Sequence, residues 1–351
     1  MDTRNDPVAL AQQCIERSRR SVDWLLQQQG PDGGWKNLPN APMDAYYKAS
    51  WAFGLMGEAA AAERSLDYVK KHFLQPDGNF LPREKDWFIN VHYQYHNGWA
   101  IIGAHKLGRY DVSAPAMRFL LSQQDPEHGG FYGQLSKAGE RKRSDTMSSG
   151  IAGIACLVTG QMQAAEKLAG YFERMIDMQP TPDTCFYSTF DPDGSLGTQF
   201  GDSEAWRVVD TAKPNQVWYS VGLPFNFSIL MHQATGEARY ARLAQWFFDF
   251  QSRCVNPWDG GSSGKAGWGC SMLYHHTGDV RYREIALRVA QHEMGCQSGD
   301  GTYCWGTPGG YTADSSGQAR TLTNGDMDIT AEFSVWLGLI GSNLLARDAT
   351  P

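Results

Sequence analysis

The chain has 351 residues, of which 42% are hydrophobic and 20% charged, so it can bury a large core. The formal net charge of −7 and the absence of a basic stripe argue against a nucleic-acid-binding surface. A polar N-terminus and the lack of an apolar run approaching about 18 residues predict a cytoplasmic protein without a membrane span.

Apolar residues recur at i, i+3, i+4 and i+7 along the chain, which predicts helices throughout. One set of helices carries Lys, Arg and Glu on one face, as expected for an outer layer, and lies near 8–29, 58–74, 110–124, 161–178, 237–251 and 280–296. The helices that alternate with them are smaller and more apolar and lie near 43–57, 90–107, 145–159, 214–235, 264–277 and 326–346. Six helical hairpins are therefore predicted.

Two markers support a repeat. A glutamine at the end of each outer helix is followed by a loop rich in Asp, Gly, Pro and aromatic residues; the six are Gln29, Gln75, Gln124, Gln179, Gln251 and Gln297. The segment starting at Gly236 resembles the one starting at Gly278, and in both a glycine ends one helix before an acidic residue begins the next. Loop insertions explain the unequal spacing of the repeats.

The expected fold is an all-α (α/α)6 toroid, with residues 1–351 forming one domain around a central pocket. The alternative is an open helical solenoid, which needs polar caps on its terminal repeats. The last helix is apolar almost all round from Phe333 to Leu345, which favours closure against the first hairpin.

The polar motifs indicate neither a metal nor a cofactor. The seven cysteines are scattered without a CxxC pair, which is typical of reduced thiols. His292 and Cys296 lack a third metal ligand, as do His92 and His96. Because GxGxxG, Walker A and GxSxG motifs are also absent, we expect a small-molecule substrate and no cofactor, and oligomer formation stays open.

The first repeat resembles a known family. Trp24-Leu25, Gln29 and Gly33-Gly34-Trp35 have the spacing of the QW motif of squalene and oxidosqualene cyclases. A looser copy contains Phe119-Leu120, Gln124 and Gly129-Gly130-Phe131. In that family the motif ties hairpins together, so the resemblance implies a fold rather than a chemistry. The chain length is similar to that of single barrels such as the protein prenyltransferase β subunit or linalool dehydratase-isomerase.

The segment from Gly325 to Glu332 resembles the DxDDTA motif of class II terpene cyclases and the DCTAE motif of oxidosqualene cyclases. Asp326 and Asp328 occupy its DxD positions, and Asp328 matches the acid that protonates an alkene or epoxide. Ile329 departs from the pattern. Such an acid needs an apolar cavity that raises its pKa, with no cation to neutralise it.

An aspartate at a helix start is ordinarily a cap, and this alternative applies to Asp328, Asp44 and Asp145 alike. All three begin predicted inner helices, where they are also catalytic candidates. His96 is a further acid–base candidate, and Lys213 and Lys265 are others.

The candidate substrate-binding residues are aromatic or imidazole side chains near the inner helices. They are Tyr47, Trp51, His92, Tyr95, Trp99, Trp218, Tyr219, Trp268, Trp305 and Tyr311. Aromatic residues at such positions also commonly form the core, and this alternative stays open.

The motif resemblance predicts an isomerase or lyase that protonates, cyclises, dehydrates or rearranges an isoprenoid or polyene metabolite in natural-product biosynthesis. The alternative is a carbohydrate-active enzyme, a uronyl hydrolase, lyase or sugar epimerase, because the repeated TG[ED]xRY element occurs in many (α/α)6 barrels of that kind. Asp145 or Asp44 is then the acid. A non-enzymatic helical scaffold is a third possibility, disfavoured by the 12 Trp residues.

Overall fold

A computed structural model describes residues 6–83, 91–305, 311–312 and 322–348. Twelve α-helices lie within these ranges. The outer helices are α1 (Pro7–Gln28), α3 (Ala59–His72), α5 (Tyr110–Ser122), α7 (Met162–Asp177), α9 (Ala238–Ser252) and α11 (Val280–Cys296). The inner helices are α2 (Ala49–Leu55), α4 (Gln94–Lys106), α6 (Thr146–Val158), α8 (Tyr219–Thr235), α10 (Gly264–Thr277) and α12 (Asn324–Asp348).

The inner helices form a closed ring. Each contacts the next from α2 to α12, and α12 contacts α2 again. The outer helices α3, α5, α7, α9 and α11 each pack on the inner helix that precedes them in the chain, whereas α1 packs on α12. The chain therefore folds as the predicted (α/α)6 toroid, and the pairing of its first and last helices closes the ring.

The loops after the outer helices fasten neighbouring hairpins. The Gln29 side chain donates to the Ala61 carbonyl of the next outer helix at 2.9 Å, and Gln297 does the same to Arg17 in α1 at 2.9 Å. Gly33 has a positive φ of 91°, and a Cβ there would lie 2.0 Å from the Arg64 carbonyl oxygen. Only glycine combines this backbone angle with so close an approach.

Three inner helices differ from the prediction at their starts, and one of them is α4, which begins at Gln94 rather than at residue 90. The first inner helix is split into a 3-10 turn, Met43–Ala45, and α2, and the Met43 amide donates to the Pro82 carbonyl at 3.1 Å. Helix α8 begins at Tyr219 rather than at residue 214, because Asn215 has a left-handed φ of 52° that a helix cannot contain.

Short antiparallel ladders support the loops beside the ring. β1 (Ser144–Asp145) pairs with β3 (Thr189–Phe190), and β2 (Cys185–Tyr187) pairs with β4 (Val208–Asp210). A third ladder joins β5 (Cys304–Trp305) to β6 (Tyr311–Thr312). The β1–β3 ladder fixes the start of α6, where Asp145 lies opposite Thr189.

Helix α12 is long and apolar enough to cross a membrane, judged by length and composition alone. The sequence alone did not indicate an apolar segment of this length. However, 72% of its most apolar stretch is buried inside the protein. Its contacts with α1, α2 and α10 explain the apolar composition, because a helix surrounded by other helices has no polar face.

Candidate active site

Charged and polar side chains converge at the ends of the inner helices where these helices begin. They come from the turn before α2, from both sides of the start of α4, and from the starts of α6, α10 and α12. The group consists of Asp44, Lys48, His92, His96, Asp145, Lys265, Asp328 and Glu332, most of them at least nine-tenths buried. So many buried charges are costly to fold unless each is paired, and the pairing organises the site.

The first pair joins His92 to Asp145. His92 lies in the bend before α4, and its Nδ1 is 2.8 Å from Oδ1 of Asp145. Asp145 is the N-cap of α6 and also accepts a hydrogen bond from the Ser148 amide at 2.9 Å. Burial acts to raise the pKa of Asp145, but His92 and this amide outweigh it and hold that pKa below its usual value. The Asp145 carboxylate thus both caps α6 and pairs with His92.

The second pair joins His96 to Asp44. His96 lies in the first turn of α4, and its Nε2 is 3.0 Å from Oδ1 of Asp44 in the 3-10 turn. The ring of Tyr47 packs on the imidazole with centroids 4.1 Å apart. Among the described residues no group hydrogen-bonds to Nδ1 of His96, which is buried. The Asp44 carboxylate thus contacts Nε2 and fixes the orientation of the ring, and Nδ1 is the nitrogen left for a substrate.

Two lysines bind one glutamate next to these pairs. Lys48 and Lys265 both contact the Glu332 carboxylate, which also accepts a hydrogen bond from Nε1 of Trp336 at 3.0 Å. Burial acts to raise the pKa of Glu332, but Lys265 and Lys48 hold it well below its usual value. Burial lowers the pKa of Lys265. The carboxylate stays ionised and fixes both lysines at the centre of the ring.

Asp328 is the most exposed carboxylate of the site. Its side chain is 18% exposed, and Oδ1 lies 2.8 Å from Nζ of Lys48. Burial raises its pKa against the opposing effect of Lys48. The expectation of an acid in an apolar cavity without a cation is therefore wrong for Asp328. It lies inside α12 rather than at its start, so it is not a cap.

Four tryptophans form the floor beneath the lysines. Trp51 and Trp99 lie 4.9 Å apart between ring centroids, Trp99 and Trp336 5.1 Å, and Trp268 and Trp336 5.5 Å. Nζ of Lys48 is 5.4 Å from the Trp99 ring centroid. The four side chains are buried against one another, and the ring faces contribute cation–π attraction to the lysines.

The remaining predicted residues lie at varying distances from this centre. The hydroxyl of Tyr95 donates to Glu332 at 3.3 Å, and the Tyr219 ring stands edge-on to His92 at 5.7 Å. Asp326 instead accepts from the Thr323 amide at 2.8 Å. Trp218 is buried at the start of α8. The side chains of Trp305 and Tyr311 lie outside the described residues, and Lys213 is at the surface, 3.2 Å from Asp210.

Sequence reasoning missed several polar residues of the site. Lys48 and Glu332 were not candidates, nor was Arg83, which donates to the Tyr93 carbonyl at 2.6 Å and to Asn97 at 2.5 Å. One signal was available: Lys48 follows Asp44 by four residues in an otherwise apolar, aromatic segment. A lysine at such a position is unusual and needs a buried partner.

The described residues contain no group of three or more His, Cys, Asp or Glu side chains placed to hold a metal ion. The two imidazoles instead lie on either side of the start of α4, each with its own carboxylate. A carboxylate that accepts a hydrogen bond from a histidine fixes the tautomer and the orientation of the imidazole, as a general acid or base requires. The arrangement therefore offers two acid–base groups beside a layer of fixed charges.

No family model and no curated protein matches the chain. Solved structures do share its fold. A family 76 glycoside hydrolase, an α-mannanase from Bacteroides thetaiotaomicron, has a TM-score of 0.65 at 12% identity, covering 96% of this chain and 98% of that one. Cellobiose 2-epimerase from Spirochaeta thermophila has a TM-score of 0.63 at 14% identity, covering 98% and 100%. A D-mannose isomerase has a TM-score of 0.62 at 11% identity, covering 93% and 97%.

These structures and the site correct the sequence prediction of a terpenoid cyclase-like isomerase or lyase. The toroid assignment holds, but the structural neighbours are carbohydrate-active enzymes. The centre of the ring is also a layer of paired charges rather than an apolar wall, as Lys48, Lys265 and Glu332 show. The short likeness of 325–332 to the cyclase motif did not identify the chemistry.

Proposed function

We propose that the protein is a carbohydrate-active enzyme that isomerises or epimerises a sugar by moving a proton next to its carbonyl group. The observation that carries this proposal is the pair of histidine–carboxylate couples, His92 with Asp145 and His96 with Asp44, at the start of one inner helix. The fold supports it, because a mannose isomerase and a cellobiose epimerase share the toroid.

The reaction needs a base and an acid but no change of oxidation state overall. One imidazole removes the proton from the carbon beside the carbonyl, which leaves an enediolate. Return of the proton to the neighbouring carbon, with transfer of the hydroxyl proton from one oxygen to the other, gives the isomer. Delivery to the opposite face of the same carbon, by the other imidazole, gives the epimer. We assign these two roles to His96 and His92, each of which pairs with its own carboxylate.

The charged layer suits the intermediate of such a reaction. An enediolate carries negative charge on oxygen, and groups fixed in advance stabilise it more strongly than water does. Lys48 lies 2.8 Å from Asp328, the carboxylate most open to the site. As the most exposed carboxylate of the site, Asp328 is placed to hydrogen-bond a hydroxyl group of the substrate.

Hydrolysis of a glycosidic bond by two carboxylates is less well supported than isomerisation or epimerisation. One structural neighbour is an inactive α-1,6-mannanase variant in which two consecutive aspartates are replaced by asparagine. This chain contains no two consecutive aspartates. Among the described site residues, Asp44 and Asp145 contact histidines, and Asp328 and Glu332 contact lysines. A glycosidase needs an acid and a separate base or nucleophile on opposite sides of a bond.

The test is a conversion assay on wild type, His96→Asn and His92→Asn. A panel of aldoses, ketoses and uronic acids is incubated with each protein, and isomers and epimers are separated by chromatography. We expect conversion of at least one sugar by wild type and a loss of about 100-fold or more in each variant, the usual effect of removing an acid–base group.

His275→Asn is the matched control, because His275 is exposed at the far end of α10. It should retain wild-type activity and stability. Full activity of both His96→Asn and His92→Asn would overturn the proposal, as would hydrolysis of α-1,6-mannooligosaccharides without any isomer or epimer.

A further inference from the structure

Arg207 is a buried cation beside the site. The residue is 6% exposed, and the described residues place no carboxylate within ion-pair distance of its guanidinium. Its one side-chain hydrogen bond there is from NH1 to Oγ1 of Thr189 at 3.2 Å, and Nε is buried without a partner. The protein around Arg207 thus provides this guanidinium with one hydrogen bond and leaves its buried Nε–H without one.

Backbone contacts fix Arg207 next to the His92–Asp145 couple. The Arg207 carbonyl accepts hydrogen bonds from both the amide and the hydroxyl of Ser188, at 2.9 Å each. The Ser188 carbonyl in turn accepts from the Thr146 amide at 3.0 Å, at the start of α6. Thr189, which holds the guanidinium, pairs with Asp145 across the β1–β3 ladder. The cation therefore lies within the wall of the proposed active site.

The neighbouring Arg143 differs from Arg207 in its exposure and in its ion pairing. Its side chain is 41% exposed, and its Nε donates to Asp191 at 2.6 Å. Both guanidiniums lie near the face of Phe200, Arg143 at 5.9 Å and Arg207 at 5.4 Å from the ring centroid. The partly exposed Arg143 thus pairs with a carboxylate. Among the described residues, the buried Arg207 has no carboxylate within ion-pair distance. Burying an unpaired charge is costly, so an anion that binds there gains a strong partner.

We propose that Arg207 binds the anionic substituent, a carboxylate or a phosphate, of the sugar on which His92 and His96 act. This inference rests on the proposed function and narrows its substrate class to acidic sugars. A planar guanidinium with free N–H groups matches both anions and binds them in a fixed orientation. The neighbouring Tyr219, edge-on to His92 at 5.7 Å, lies on the same side of the site.

The test measures binding rather than turnover. Isothermal titration at 0.15 M salt compares D-mannuronate, D-mannose 6-phosphate and D-mannose, with the corresponding glucose series in parallel. We expect wild type to bind one anionic form about 10- to 100-fold more tightly than its neutral parent, the range expected for a charge-assisted hydrogen bond. Arg207→Gln should remove this difference and leave the affinity for the neutral sugar unchanged. Arg207→Lys should restore part of it.

Arg143→Gln is the matched control, and it should bind all ligands as wild type does. Equal affinity of wild type for acidic and neutral sugars, or no binding of any acidic sugar, would overturn the inference. So would an Arg207→Gln variant that loses neutral and acidic ligands alike, because that result indicates a structural role. If an acidic sugar binds through Arg207 but no isomer or epimer forms, the anion-binding role of Arg207 stands and the proposed function fails.

Discussion

Lys48 and Lys265 share the carboxylate of Glu332 although the three residues lie far apart in the chain. Removing one member of such a buried group leaves the others uncompensated, which makes these side chains sensitive to substitution. Which carboxylate the lysines share was not predictable from the sequence, because Glu332 is 284 residues from Lys48 and 67 residues from Lys265. The candidates Asp44, Asp145 and His96 were predictable because helix starts and polar side chains in apolar segments are visible locally.

Glu293 is a buried carboxyl outside the proposed machinery. It lies on the inward side of α11, and neither of its oxygens has a hydrogen-bond partner among the described residues. Burial, together with Glu332, raises its pKa well above the usual value. A carboxyl of this kind favours the folded state fully only below its unfolded pKa of about 4.3, and that contribution is lost as the pH rises toward the folded pKa.

Glu293→Gln should therefore stabilise the protein at high pH and not at low pH, because an amide of the same shape cannot ionise. We expect its thermal midpoint to exceed that of wild type by about 2–4 °C at pH 8, the shift that about 1 kcal/mol produces in a large domain. At pH 4.5 the difference should shrink. Differential scanning calorimetry at both pH values measures this.

The control for this pH effect is Glu284→Gln, since Glu284 is exposed on the same helix. Its midpoint difference from wild type should stay within about 1 °C at both pH values. A Glu293→Gln difference that is the same at pH 4.5 and pH 8 would show that the buried carboxyl does not titrate as described.

At the scale of helices and loops, hydrophobic periodicity and glycines predicted where most helices lie and where two of them end. The six outer helices lie where their apolar spacing predicted them, and Gly236 and Gly278 end α8 and α10 in the left-handed conformation. The starts of three inner helices were not predicted. Before α2 the Met43 amide contacts the Pro82 carbonyl of another loop, and before α8 Asn215 has a left-handed backbone, which hydrophobic periodicity does not encode.

The loop after α11 closes the ring against α1. Gly301 has a φ of 102°, and a Cβ there would lie 2.6 Å from the Arg20 carbonyl oxygen. We expect Gly301→Ala to lower the free energy of unfolding by about 1–3 kcal/mol, because both the backbone angle and the contact become strained. Urea unfolding followed by circular dichroism measures the change.

Gly295 provides the comparison for this loop, because it lies inside α11 and a Cβ there would meet no atom within 4 Å. Gly295→Ala should be neutral or stabilise the protein by roughly 0.5 kcal/mol, since alanine favours helix. If Gly301→Ala and Gly295→Ala have the same free energy of unfolding, the loop does not hold the ring closed as described.

At the scale of the whole molecule, the sequence predicted the fold correctly but the chemistry incorrectly. Hydrophobic periodicity and the glutamine markers predicted the toroid, since they reflect packing that every hairpin repeats. The function inferred from 325–332 was wrong, because one toroid holds unrelated active sites. The site depends on which side chains several hairpins bring together, as in the pairing of His96 with Asp44 and of His92 with Asp145.

The most direct test of this account is hydrogen exchange at the carbon beside the sugar carbonyl. Wild-type protein is incubated in D2O with neutral and acidic aldoses and ketoses, and NMR follows the signal of that hydrogen. We predict protein-dependent replacement of this hydrogen by deuterium, together with an isomer or epimer. Glycosidic bond cleavage without exchange, or no exchange in any of these sugars, would contradict the proton-transfer function.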